Sequence, residues 1–193
     1  MTTADNNQYT ATEHKIVALH KQLGIPADYS ARHHLKIQVE CQQLTSIGED
    51  IFAREQMMTP QAASAWLAMQ AAAAEEGVEL QAVSAFRSID YQAGIIQRKL
   101  SAGQNIKEIL KVSAAPGFSE HHSGCALDIT TPGCEPLEEE FENSPAFQWL
   151  NRFADNFGFK MSYPRDNVHK VAYEPWHWCW SNRESEFTDS SPR

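Results

Sequence analysis

The sequence predicts an α+β domain in which helices come first and a small antiparallel sheet follows. Three observations carry that expectation. Strong helix formers with clear caps fill much of the first 75 residues, short alternating apolar segments begin only near residue 78, and most later connections are short.

Taken in order, TEHKIVALHKQL at 12–23 puts Ile16, Leu19 and Leu23 on one helical face. Residues 30–56 read as further helix with less definite ends. The next helix is fully punctuated: Thr59 caps it, Pro60 suits its first position, and Gly77 closes it. Within it, Trp66, Leu67 and Met69 supply bulk for packing, and the alanines allow close approach. Residues 78–85 (VELQAVSA) form a strand candidate, followed by a helix at 89–101 and a turn or two of helix near 105–111. CALDIT at 125–130 alternates as a half-buried strand does, with Cys125, Leu127 and Ile129 on one side and Ala126, Asp128 and Thr130 on the other. Acidic 138–142 reads as a solvated loop or helix start. Ser144-Pro145 opens a helix closed by Gly158, with Phe147, Leu150 and Phe153 inward. Segments 159–163 and 168–173 suggest paired strands around a polar turn at 164–167, and 182–193 a loose tail. One domain over 1–193 is expected, with a helical lead-in at 1–75 and a core at 78–180.

Composition narrows the function. The 193 residues are 42% apolar and 10% aromatic, enough for a buried core, which excludes disordered and collagen-like chains. No run approaches the ~18 apolar residues of a membrane span. The first residues have neither a basic nor an apolar leader segment, so a cytoplasmic location is expected. Sixteen basic residues against 25 acidic ones give a net charge of −9, which disfavours nucleic acid and anionic membranes as partners. Cys41, Cys125, Cys134 and Cys179 form no CxxC pair, so reduced thiols are expected rather than a zinc ribbon or a disulfide scaffold.

Chemistry-bearing residues concentrate in three segments: Ser84–Ser88 (SAFRS) with Gln92 five residues after Arg87, then Ser119–Asp128 (SEHHSGCALD), then Glu174–His177 (EPWH). A catalytic zinc takes three protein ligands and keeps one position open. If the chain turns at Ser123-Gly124 and enters a strand, His121 and Asp128 can converge from loop and strand, with His177 as a third donor. His122 fits that geometry equally well. Pro175 holds Glu174 in extended conformations, in a rigid loop; Glu174 is then available as a general base or a fourth ligand, a choice spacing leaves open. Read singly, each segment has a plainer meaning: a surface His–Asp pair, a salt-bridging arginine, or an aromatic turn with Trp176, Trp178 and Trp180 alternating.

In combination and order, the three segments resemble the zinc D-Ala-D-Ala carboxypeptidases, which include vancomycin-resistance carboxypeptidases and the LD-carboxypeptidases that trim peptidoglycan. The resemblance spans about 80–180. It implies a small antiparallel sheet carrying one zinc ion, in an arrangement also found in the hedgehog signalling domain, with the N-terminal helices packed around it. It implies His121, Asp128 and His177 as ligands, Glu174 as base, and Arg87 as the group that polarises the scissile carbonyl and steadies the tetrahedral intermediate. The family pattern H-x-x-G-x-A-x-D selects His121 over His122. Gln92 and Ser119 match polar positions that line the substrate site and help hold the terminal carboxylate. Where relatives often read W-H-x-R-Y, this chain has Trp178-Cys179-Trp180, so support of that loop by an arginine is missing.

The resemblance implies a substrate that is a stem peptide or muropeptide ending in D-Ala. For a cytoplasmic protein, trimming recycled tetrapeptides would spare the pentapeptide precursors, so LD-carboxypeptidase activity is the expectation. DD-carboxypeptidase, phage-type L-Ala-D-Glu endopeptidase and a non-catalytic zinc module are the rivals.

Overall fold

The computed structural model describes residues 3–182, with side chains from residue 11 onward. Helix α1 (Thr3–Leu23) starts earlier than its apolar pattern, and Ile16 and Leu23 lie buried on the expected face. A short α2 (Tyr29–His33) follows. The helix expected over 30–56 does not form beyond this point. Strands β1 (Thr45–Glu49) and β2 (Glu55–Met58) make an antiparallel hairpin instead, so the lead-in is helical at its ends and stranded in its middle.

Turn chemistry explains the difference. The Asp50 carboxylate accepts hydrogen bonds from the backbone N–H groups of Phe52 (2.8 Å) and Arg54 (3.0 Å) and from Arg54 Nε and Gln56 Nε2 (2.8 Å each). An aspartate that binds its own following backbone competes directly with helix.

Helix α3 (Pro60–Glu75) has the expected cap, with Thr59 Oγ1 accepting from Ala62 N, and buries Trp66 and Met69. Leu67 instead faces outward, 48% exposed, because it lies 100° around the helix from Trp66. Then come β3 (Gln81–Ser84), α4 (Ile89–Ser101), α5 (Ile106–Val112), β4 (Ala126–Thr130), α6 (Pro145–Phe153), β5 (Phe159–Met161) and β6 (His177–Trp180). Three 3-10 turns, Glu120–Ser123, Glu139–Asn143 and Ala154–Phe157, link them. The acidic one anchors itself by burying Phe141.

The main sheet has the order β3-β4-β6-β5, antiparallel throughout. Two expectations change here. All five β4 residues are buried, not every second one, because core covers one face and a cleft wall the other. Residues 168–173 are not a strand: β5 pairs with β6, Met161 opposite Trp178. Asp166 and Lys170 adopt left-handed φ, and the Asn167 side chain donates to the carbonyls of Pro164 and Val171, which curls this segment into a closed loop.

One apolar cluster joins α3, the sheet and α6 through Trp66, Leu127, Trp149, Leu150, Phe159 and Trp178. A second joins α1, α4 and α5 through Ile16, Leu23, Ile89, Ile96, Ile109 and Phe118. Among the described residues, no helix is long and apolar enough to cross a membrane. Of the tail expected at 182–193, all but the first residue lies outside the described residues.

Candidate metal centre

Antiparallel pairing sets Asp128 of β4 directly opposite His177 of β6, so both side chains leave the same face of the sheet. His121 arrives from the 3-10 turn, which Gly124 ends in a left-handed conformation (φ 70°) before the chain enters β4. The three residues are buried, and each offers a ligand atom within 4.8 Å of the others.

The hydrogen bonds reveal what the pocket requires. His121 Nδ1 lies 2.6 Å from the carbonyl of Ala85, which can only accept, so the ring proton sits there. Nε2 is buried with no hydrogen-bond partner, 3.2 Å from Asp128 Oδ2. Burial and the nearby Arg87 charge lower this histidine to about 4, so its Nε2 lone pair faces a carboxylate. A lone pair opposed to an anion is repulsive unless a cation lies between them. The donor set, two imidazoles and a carboxylate, suits a divalent zinc ion.

His177 is tied on both sides. Nδ1 is 2.9 Å from Asp128 Oδ1 and Nε2 is 2.9 Å from Glu120 Oε2. Burial works to lower its pKa, but these two carboxylates outweigh it and push the ring up to about 10. Burial likewise works to raise Asp128, yet His121 and His177 hold it well below the usual carboxylate range. Glu120 also accepts from the Ser162 hydroxyl at 2.6 Å. With its Nε2 proton directed to Glu120, His177 can present Nδ1 to an ion, the carboxylate–histidine–metal arrangement that fixes ring orientation.

His122, equal to His121 on geometry in the sequence, is fully engaged elsewhere. Its Nδ1 donates to the carbonyl of Arg87 (2.6 Å), and its Nε2 accepts from Gly117 N (3.1 Å). Both nitrogens hold backbone, and one of them holds the arginine's own segment.

Glu174 stands beside the triad, its Oε2 3.9 Å from His177 Nδ1. Burial raises it to about 7, and Asp128 adds to the rise. Its backbone N–H donates to Tyr163 O, and Trp178 Nε1 donates to Pro175 O, so the turn before β6 is fixed. Arg87 has a buried Nε without a partner. Gln92 donates from Nε2 to Ala114 O at 2.7 Å, which leaves its buried Oε1 unpartnered. Arg87, Gln92, Ser119 and Glu174 line one cavity of about 440 Å³ together with His121, Asp128 and His177. A larger cleft of about 740 Å³ adjoins it, sharing Tyr29 and Lys111, but contains none of the three candidate ligands.

Sequence reasoning missed Glu120, Ser162 and Tyr163, whose ring packs 4.9 Å from that of His177. Glu120 carried a usable signal, an acid adjoining a candidate ligand; Ser162 and Tyr163 carried none, because only the fold brings them near. Cys125 and Cys179 are free thiols outside the triad, and burial raises both.

Residues 55–183 match the family model described as VanY: D-alanyl-D-alanine carboxypeptidase. The chain is 33% identical over 169 residues to the putative carboxypeptidase YodJ of Bacillus subtilis, covering 86% of this chain and 59% of that protein. It therefore spans less than two thirds of that relative's length. Among solved structures, the LdcB LD-carboxypeptidase superposes with a TM-score of 0.68 at 32% identity, covering 76% of this chain and 71% of LdcB. A vancomycin-resistance D,D-pentapeptidase VanY variant in complex with Zn(II) gives 0.57 at 25% identity, covering 77% of this chain and 82% of the other.

Proposed function

The chain belongs to the VanY family of D-alanyl-D-alanine carboxypeptidases, and on that premise we propose that it removes a C-terminal D-amino acid from peptidoglycan stem peptides. His121, Asp128 and His177 would hold one zinc ion. The observation that carries this reading is the unpartnered Nε2 of His121 turned toward Asp128, beside the half-buried carboxyl of Glu174.

A bound zinc ion supplies Lewis acidity, polarising the scissile carbonyl and acidifying a water. The protein's own groups do the rest. Glu174, raised toward neutrality by burial, takes a proton from the attacking water and returns it to the leaving amine. Arg87 directs a guanidinium with spare donors into the cleft, where negative charge develops on the carbonyl oxygen. Gln92 and Ser119 offer neutral polar atoms to the peptide at the cleft wall.

We favour cleavage after an L-centre, as in a tetrapeptide ending in D-Ala, and a role in trimming recovered muropeptides. The greater likeness to the LD-carboxypeptidase LdcB than to the D,D-pentapeptidase supports this preference. The likeness to the latter keeps DD-cleavage of pentapeptides as the second reading. Zinc-loaded protein incubated with tetrapeptide and pentapeptide, with products read by mass spectrometry, tests both. Loss of D-Ala from tetrapeptide is expected; loss from pentapeptide alone overturns the LD preference. A zinc-bound protein that releases no D-Ala from either overturns the carboxypeptidase reading.

A further inference from the structure

We propose that the larger cleft of about 740 Å³ is a second substrate subsite, which takes a carboxylate lying upstream of the cut. This assignment rests on the carboxypeptidase reading above and extends it to the amino side of the scissile bond. The two clefts share the walls formed by Tyr29, Leu110, Lys111, Val171 and Ala172, so a peptide seated in the inner cavity can run on into the outer one. Chemistry decides which part of the peptide does so. A carboxypeptidase has a single residue on the carboxyl side of the cut, too little to reach a second cleft. Only the amino side is long enough.

The clefts differ in charge. In the inner cavity acids outnumber lysine and arginine: Glu120, Asp128, Glu138, Glu139 and Glu174 stand against Arg87, Lys99 and Lys111. The outer cleft reverses the balance, with Arg32, Lys107, Lys111 and Lys170 against Asp166 alone, in a chain whose net charge is −9. Acids outside the lining neutralise two of these cations, Asp28 pairing with Arg32 (2.5 Å) and Glu108 with Lys111 (2.7 Å). Lys107 and Lys170 form no ion pair among the described residues. Their placement is set by the fold. Lys107 and Lys111 lie four residues apart on α5 and so share a helical face. Lys170 comes from the loop that the Asn167 side chain curls. Two reciprocal bonds fasten that loop to α2: His33 Nδ1 donates to His169 O (3.0 Å), and His169 Nδ1 donates to His33 O (3.2 Å). A cleft lined by an excess of one sign of charge concentrates ligands of the other. An upstream carboxylate is therefore better matched in the outer cleft than in the inner one, which aligns the peptide with its D-terminal end at the triad.

The test uses zinc-loaded protein and two tetrapeptides ending in D-Ala, identical except that the second residue is glutamate in one and its carboxamide in the other. Contacts to exposed cations are individually weak, so wild type is expected to favour the acidic peptide by about threefold to tenfold in kcat/KM, through KM. Lys107→Glu combined with Lys170→Glu should remove or invert that preference by raising KM for the acidic peptide. Lys107→Arg combined with Lys170→Arg should keep it. Wild type alone gives a second measurement, independent of how the variants fold. As ionic strength rises from about 0.01 M to about 0.15 M the screening length falls from ~30 Å to ~8 Å, and the preference should shrink. Equal use of the two peptides by wild type at low salt, or a preference unmoved by salt or by the double reversal, overturns the subsite; D-Ala release, and with it the carboxypeptidase reading, then still stands. Absence of D-Ala release from either peptide overturns both.

Discussion

His121 and Asp128 face each other at 3.2 Å, Nε2 to Oδ2, with the only imidazole proton of His121 directed away to the Ala85 carbonyl. This opposition separates holding an ion from using it. His121→Ala should lose both zinc and turnover. Glu174→Ala should keep zinc and lose about 10²–10⁴-fold in kcat, since its carboxylate is not among the three converging ligands. Metal analysis and product release on the same preparations check the division; equal zinc loss in the two variants would refute it.

Glu120 is placed to orient His177 and is not among the three converging donors. Its carboxylate accepts hydrogen bonds from His177 Nε2 and from the Ser162 hydroxyl. Glu120→Gln should weaken zinc affinity about 10–100-fold, and Ser162→Ala should do so by less. Competition against a chromogenic chelator measures both without any substrate.

Asp50 links stability to pH. Burial works to raise its pKa, but Arg54 and the backbone donors of the turn outweigh it, so the folded carboxyl titrates below its ordinary range. A depressed folded pKa means stabilisation that is complete above about pH 4 and is lost as pH falls toward the folded value. Asp50→Asn should cost about 1–3 kcal/mol at pH 7, and the gap from wild type should narrow below pH 4. Urea unfolding at pH 7 and pH 3 reads this directly.

Gly117 is held at φ 87°, and a Cβ there would come within 2.6 Å of Ile16 Cγ1 on α1. Gly103 has a similar φ of 84° with open space around it. Gly103→Ala should cost about 1 kcal/mol from backbone strain alone. Gly117→Ala should cost about 2–4 kcal/mol, because crowding adds to strain. Thermal melts of the pair isolate the packing part.

Residues whose roles depend on local pattern were legible in the sequence. The caps of α3 and α6, the start of α4 at Ser88 and the strand bearing Asp128 follow from short-range chemistry. The convergence of His121, Asp128 and His177 was legible only through motif order, since the last lies 49 residues beyond the second. The β1–β2 hairpin was missed because its decisive signal is one aspartate that binds the backbone ahead of it, within a stretch otherwise compatible with helix. The β5–β6 pairing was missed because adjacency in sequence favoured 168–173 as the partner, whereas side-chain bonds from Asn167 curl that segment away. Spacing alone did not separate His122 from His121; the family pattern did, and the physical reason is that both nitrogens of His122 hold the backbone of Arg87 and Gly117.

The alignment of β4 with β6 has a consequence for how the molecule matures. Asp128 and His177 share a face only because they are cross-strand partners; a slip of one residue would turn one of them toward the apolar cluster around Trp178. A misaligned chain would then lack a complete ligand set, and its affinity for the ion would fall with it. An ion held by these three residues would favour the single alignment that brings them together, and a misthreaded sheet would gain nothing from it.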